Sequence, residues 1–314
     1  MYTANAFVAL LATASTAQAF QLSDLKSTAS DAARSVGDAA SSMLTRKSSS
    51  CPKVWSDIST TLTGQFLSNG QCNDDAHAAI RSSFHDCFNG ACDGSLILAN
   101  ECANSENDGL SSICSTLGSL AKSNKVGYAD MIQFAAAHAI KTCPGGPTVP
   151  VKVGRKDSSK ANALGVLPAG NAQASDLIQL FASKGFSTTD LTALIGAHTA
   201  ARQQFADPSK AGASLDTTPG EWDNQYYQDT IDGKAPFTLE SDKNLQTDSQ
   251  TSGDFSNFAS SQSAWASAFV PAMTKMSMLG VDDSGLVDCT SALPGGSSKR
   301  DVKKAPLFER MTKW

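Results

Sequence analysis

Apolar residues recur at intervals of three and four along most of the chain and rarely alternate, which predicts helices and few strands. The spacing predicts helices over residues 57–67, 74–88, 109–124, 128–142, 174–184, 187–202 and 265–279. Their ends carry matching punctuation. Asp74 and Asp75 suit the positive end of a helix dipole, and Ser187-Thr188-Thr189-Asp190 reads as a capping box. Gly185 suits the position just past a helix end, and Cys143-Pro144-Gly145-Gly146 stops the helix before it. Residues 149–153 read as one short strand. The fold class is mainly α, with little β.

The flanks have a different pattern. Residues 7–12 form a short apolar run, and Ala17-Gln18-Ala19 gives a small-x-small cleavage pattern, although Lys and Arg are missing ahead of the run. Residues 1–19 are therefore expected to be a signal peptide. Residues 20–50 are rich in Ser, Ala and Asp, with Leu22, Leu25, Ala29, Ala32, Val36 and Ala40 at helical spacing before Arg46-Lys47. They are either a propeptide cut near the basic pair or a frayed leader helix. Gly295-Gly296-Ser297-Ser298 opens a basic tail over 295–314, which leaves 51–294 as the folded domain. No apolar stretch reaches the roughly 20 residues that span a bilayer.

The chain has 314 residues, 41% hydrophobic and 18% charged, with a net charge of −5. That length can bury a large core, and the acidic balance argues against nucleic acid or an anionic membrane as partner. Eight cysteines (51, 72, 87, 92, 102, 114, 143 and 289) lack the paired CxxC spacing of a zinc site. In an exported chain they favour four disulfides, but spacing alone leaves about 105 pairings open. There is no Asn-x-Ser/Thr sequon.

Two of the four histidines sit in informative places. Leu191, Leu194, Ile195 and His198 complete one helical stripe, so the His198 imidazole is expected to point inward. On that helix alone it is either a hydrogen-bonded core histidine or a metal or haem ligand. Arg81 and His85 are spaced i, i+4 and share a helix face. A permanent cation beside a histidine keeps it neutral, as a general base must be. The alternative is a solvated basic face, which the apolar Ile80, Phe84 and Phe88 on the same helix oppose.

Arg81-Ser82-Ser83-Phe84-His85-Asp86-Cys87 resembles the distal-helix motif of the plant/fungal haem peroxidase superfamily, and Leu194-Ile195-Gly196-Ala197-His198-Thr199 resembles its proximal-helix motif. The resemblance covers about 51–294 and looks most like the secreted fungal class. It implies a two-lobed helical fold with one haem b between the distal and proximal helices. His198 would be the axial iron ligand and Asp242 the partner of its other nitrogen. His85 would move the peroxide proton, with Arg81 stabilising the charge that develops. Asn107 would orient His85, Glu101 would anchor Asn107, and Phe84 fills a place where intracellular members carry Trp. Two calcium ions are implied. A distal one would be held by Asp86, Asn89, Ala91, Asp93 and Ser95, and a proximal one by Thr199, Asp216, Thr218, Glu221 and Asp223. Asp86, Asp93 and Ser95 are also, on chemistry alone, hard oxygen donors around a glycine-containing loop. The implied disulfides are Cys51–Cys289, Cys72–Cys143 and Cys87–Cys92, which leaves Cys102–Cys114.

Departures from the family narrow the substrate. The carboxylates that hold manganese in manganese peroxidases match Asp74, Ala78 and Gln204, so at most one acid survives. The surface radical Trp of ligninolytic members is replaced by Ala193. Leu215 stands where a Phe usually packs near the proximal imidazole, and Leu167-Pro168-Ala169-Gly170 half matches the aromatic-substrate loop of plant enzymes. The expected protein is a secreted, extracellular, monomeric haem peroxidase. It would take hydrogen peroxide and small aromatic reductants by one-electron steps, without nucleic acid or membrane partners. The alternatives are a manganese- or lignin-type peroxidase, or a secreted haem- and calcium-binding protein with little turnover.

Overall fold

The computed structural model describes residues 50–295, so the expected signal peptide, almost all of the leader and the basic tail lie outside the described residues. Helix α1 (Val54–Phe66) leads through a two-stranded hairpin, β1 (Leu67–Ser68) and β2 (Gln71–Cys72), into α2 (Asp74–Asn89). The hairpin turn uses Asn69 and Gly70, both at positive φ. Asn-Gly is the strongest short hairpin signal. Asn73 then caps α2, accepting from the Asp75 and Ala76 amides at 3.1 Å, while its own amide donates to the Gln65 carbonyl at 2.8 Å. One side chain thereby closes α1 and opens α2.

Helices α3 (Ser95–Leu98), α4 (Ser111–Asn124) and α5 (Tyr128–Thr142) complete a first lobe, in which α5 packs against α1, α2 and α4. Twelve of the fifteen α5 residues are buried, so this helix is apolar on nearly all sides and forms the lobe's axis. Its His138 bonds to the Ser59 carbonyl at 2.9 Å and to the Thr63 and Thr142 hydroxyls at 3.1 Å. Burial lowers its pKa to about 4, so the ring is neutral and pins α1 to α5.

The second lobe holds α6 (Ala174–Ser183), α7 (Thr188–Ile195), α8 (Gln225–Asp232), α9 (Glu240–Thr247), α10 (Ser252–Ser260) and α11 (Gln262–Met276), with α11 packed on α7 and α10 on α8. Strand β3 (Lys152–Val153) pairs antiparallel with β4 (Val287–Asp288), so the expected strand over 149–153 shrinks to two residues. A buried ion pair, Arg155 to Asp130 at 3.1 Å, ties this ribbon to α5, and Arg155 also donates to the Ser277 carbonyl at 2.9 Å beyond α11.

Disulfides join Cys51 to Cys289, Cys72 to Cys143, Cys87 to Cys92 and Cys102 to Cys114. The mainly helical class holds. Two helix bounds are corrected as well. The helix expected over 187–202 ends as an α-helix at Ile195 and tightens to a 3-10 turn over Gly196–Ala200. The last long helix starts at Gln262 rather than Trp265, capped by Ser261, which accepts from the Ala264 amide at 3.1 Å. Helices α8, α9 and α10 were not foreseen, because each is eight or nine residues long, too short for periodicity to stand out.

Candidate active site

Arg81 and His85 emerge from one face of α2, and Arg81 Nε donates to His85 Nε2 at 3.1 Å. The other guanidinium nitrogens donate to the Asp108 carbonyl at 2.7 Å and the Glu106 carbonyl at 3.3 Å. These main-chain bonds hold the cation without a carboxylate partner. His85 Nδ1 meets Asn107 Oδ1 at 2.6 Å. An amide oxygen only accepts, so Nδ1 carries the proton and Nε2 presents a lone pair. Burial, reinforced by the Arg81 charge, lowers the His85 pKa to about 3. The ring is thus a neutral base across the whole physiological range.

Asn107 is fixed in turn by donating to the Glu101 main-chain carbonyl at 2.8 Å. The expected anchor is therefore the backbone of Glu101. Its carboxylate instead accepts from the Asn162 amide at 2.7 Å through Oε1, and Oε2 is buried without a partner. Phe84 stacks on Phe88 and meets the His85 ring edge-on, with centroids 4.8 and 5.7 Å apart.

On the second lobe, the Ser187–Asp190 capping box closes in both directions. Past the end of α7, His198 Nδ1 lies 3.0 Å from Asp242 Oδ2 on α9. Asp242 is fully buried, whereas the His198 side chain is 31% exposed, which corrects the expectation of a buried ring. Leu194, Ile195 and Ala197 beside it are apolar yet only half-buried. Nδ1 is engaged by a carboxylate and Nε2 is left to the open side, so the donor set suits a metal ion. The half-covered apolar wall around it suits a flat, apolar macrocycle carrying that ion.

The chain then returns to the distal side. A methyl group placed on Gly109 would lie 3.6 Å from both Arg81 Nη1 and the Phe205 ring. Phe205, only seven residues past His198, is 56% exposed there. Gly196 allows another close approach, since a Cβ at that position would lie 2.5 Å from Trp265 Nε1 and closer still to the Tyr227 hydroxyl. Gly196→Ala is expected to shift the His198 turn and to cost about 1–3 kcal/mol. Thermal denaturation measures this, and an unchanged midpoint would refute the packing.

Asp86 and Asp216 are buried without a cation partner, and burial raises the pKa of both. Asp86 accepts from the Gly94 and Leu96 amides at 3.1 and 3.2 Å, and burial still pushes its pKa up to about 7. Asp93 and the Ser95 hydroxyl lie in the same loop, with Ser95 Oγ accepting from Asn162 at 2.8 Å, and Asn89 Oδ1 is buried without a partner. The Ala91 carbonyl accepts from the Asp93 amide. Asp216 shows the same pattern. It accepts from Thr199 Oγ1 at 2.6 Å, and burial again raises its pKa to about 7. Asp223 accepts from Thr218 Oγ1 at 3.1 Å, and Thr199 Oγ1 reaches both carboxylates. Each cluster is a set of hard oxygen donors suited to a cation such as calcium. The Glu221 side chain is exposed and lines a polar cleft with Asp74, His77, Arg202 and Thr218, which leaves its main-chain carbonyl as the group that could join the cluster. Sequence reasoning missed Asn162, which bonds both Glu101 and Ser95, and Asp229, which holds Thr217 at 2.8 and 2.7 Å. Neither lies within a motif.

The remaining positions bear on substrate. Asp74 is exposed and paired with Arg202 at 3.1 Å, Gln204 is exposed, Ala78 is half-buried, and Ala193 and Leu215 are buried.

A family model described as peroxidase matches residues 54–261. The low-redox potential peroxidase of Taiwanofungus camphoratus is 31% identical over 283 residues, covering 80% of this chain and 84% of that protein. Manganese peroxidase 3 of Phlebia radiata is 28% identical over 287 residues, with 77% and 79% covered. A peroxidase of Arthromyces ramosus is 27% identical over 286 residues, with 81% and 79% covered.

Proposed function

The chain belongs to the peroxidase family, and on that premise we propose that it is an exported haem enzyme in which hydrogen peroxide drives the one-electron oxidation of small phenols and aromatic amines. The single observation that carries the reading is the Asn107–His85–Arg81 arrangement, a buried neutral imidazole with its lone pair on Nε2 beside a fixed cation. Haem would supply an iron centre that peroxide oxidises and that donors then reduce. His198 Nε2 would hold the iron, and Asp242 would raise the basicity of that nitrogen by accepting from Nδ1. Once Arg81 Nε releases its bond to Nε2, His85 Nε2 accepts a proton from hydrogen peroxide and returns it to the departing oxygen. Arg81 stabilises the negative charge on that oxygen as the bond breaks.

Donor choice follows from what surrounds the site. Asp74 is engaged by Arg202, while Ala78 and Gln204 bring no charge, so a tight Mn²⁺ site is not formed. Ala193 provides no surface radical. Phe205 and Leu164 are exposed near the turn that holds Arg81, Phe205 beside Gly109 and Leu164 next to Gly165, whose amide donates to Glu106 at 3.0 Å. They offer apolar surface to an aromatic donor. The likeness to a low-redox potential peroxidase supports the same choice.

We assign the Asp86 and Asp216 clusters to one calcium ion each, Glu221 contributing no side chain to the second. Four disulfides support export, and among the described residues no helix is long and apolar enough to cross a membrane. We propose a monomer; among the described residues the exposed large hydrophobics are Leu164, Phe205 and Ile231, fewer than an obligate apolar interface uses.

Purified haem-loaded protein is expected to show a Soret band and to oxidise a phenolic dye with peroxide, with Mn²⁺ and veratryl alcohol turned over far more slowly. Haem binding without dye oxidation would reduce the protein to a haem carrier. Mn²⁺ turnover rivalling phenols would overturn the donor assignment.

A further inference from the structure

The described residues contain three tryptophans and three tyrosines, and four of these six form one continuous column. It starts at the proximal imidazole. Tyr226 meets His198 edge-on with ring centroids 5.8 Å apart, and Tyr227 meets Tyr226 at 5.0 Å. Trp265 meets Tyr227 at 5.8 Å, and Trp222 stacks on Trp265 at 5.4 Å with only 12° between the planes. All four rings are fully buried. They come from three separate places, the turn before α8, α8 itself and α11.

Phenylalanines would fill most of this volume. Phenols and indoles differ from them in being readily oxidised, and these four extend from the imidazole proposed to hold the iron. We propose that the stacked Trp222–Trp265 pair is an internal electron donor, connected to His198 through Tyr226 and Tyr227, that delivers single electrons to the peroxide-oxidised centre when no external donor is bound. The proposal rests on the peroxidase reading above, which supplies the oxidant.

The bonding at each ring selects the indoles as the resting place of the oxidising equivalent. A phenol sheds its proton when it loses an electron. The Tyr227 hydroxyl donates to the Thr192 carbonyl at 2.7 Å, which cannot retain a proton. Tyr226 Oη makes no hydrogen bond of ordinary geometry, and a proton passed to the neighbouring Asp242 would cancel the charge that holds His198 Nδ1. An indole needs no such acceptor. Trp265 Nε1 donates to the Ala193 carbonyl at 2.9 Å, and that dipole favours a positive charge on the ring while its N–H bond stays intact. In the transfer one electron leaves the indole pair and one is gained by the oxidised centre. No bond is made or broken, and the product is an indole radical cation spread over two parallel rings. Its burial keeps water and solutes away.

The function this provides is protective. With peroxide present and donor absent, the column draws the second oxidising equivalent away from the haem and holds it in the second lobe. The test mixes holoenzyme with one equivalent of hydrogen peroxide, without donor, and freezes it for electron paramagnetic resonance. The expected signal is an organic radical whose hyperfine structure narrows when the protein carries ring-deuterated tryptophan and stays unchanged with ring-deuterated tyrosine. Labelled wild-type protein needs no substitution, so a folding defect cannot obscure the result. Trp265→Phe should abolish the indole signal. Peptide mapping after repeated peroxide additions should find oxidation at Trp265 and Trp222, with Trp55, buried in the other lobe, spared. A tyrosine-only radical, or equal damage at Trp55, would overturn the column. If peroxide leaves the Soret band unchanged and no dye is oxidised, the peroxidase reading falls and this one with it. If the centre is oxidised but no indole radical forms, this inference alone falls.

Discussion

His85→Ala is expected to slow the reaction of the haem-loaded protein with hydrogen peroxide by about 10²–10⁴-fold, the usual contribution of a positioned acid–base group. Haem retention should survive, because His198 and Asp242 sit on the other lobe and make no contact with His85. Stopped-flow measurement of the Soret change with peroxide separates the two effects. An unchanged rate would remove His85 from its role. The pH dependence gives a second check on the same residue. With its pKa lowered to about 3 by burial and by Arg81, His85 remains an unprotonated base from neutral pH down to about 4, so its titration should produce no fall in rate across that interval. Asn107→Ala should give a milder loss, since it frees the imidazole to rotate while keeping its basic nitrogen.

Removal of calcium is expected to have the next largest effect, and its size should depend on pH in a defined direction. Asp86 and Asp216 are buried, and without a cation burial raises both from the usual 3.8 to about 7. The folded, metal-free protein then retains two protons that the unfolded chain releases above pH 4. Stability therefore falls as pH rises from about 4 to about 7, by several kcal/mol, and levels off above that. Bound calcium reverses the preference, because it favours the ionised carboxylates. Chelation should thus lower the melting temperature only slightly near pH 4 and strongly at pH 7. An equal effect at both would refute the two-cluster assignment. The proximal cluster should have the greater influence on haem, since Thr199 both follows His198 and bonds Asp216.

Much of this was legible because helices leave a strong periodic trace. The i, i+4 spacing placed Arg81 and His85 on one face, and the capping box at Ser187 marked the start of α7. The motif resemblance brought in Asp242, Asn107 and the carboxylate clusters, which no periodicity reveals. Other features escaped for physical reasons. His198 was expected to be buried because its stripe is apolar, yet an apolar stripe is equally what a bound macrocycle requires. Glu101 was expected to anchor Asn107, but a sequence cannot show that its backbone carbonyl rather than its carboxylate makes the bond. Asn162 and Asp229 act on partners 61 and 12 residues away, with nothing local to mark them. The aromatic column was invisible for the same reason, its rings being contributed by segments that meet only on folding. Ala193 was read as a missing electron route. Its carbonyl instead faces Trp265 from within.

The Cys51–Cys289 bridge closes 238 residues of sequence into a covalent ring. In the chain-entropy view a ring of that size restricts the unfolded chain by roughly 5 kcal/mol. Its second consequence concerns survival outside a cell, where proteases act on exposed loops such as the one around Leu164. A single cut inside a ring does not produce two molecules. The nicked protein remains one particle with both histidines in place, and it should migrate as two pieces only after reduction.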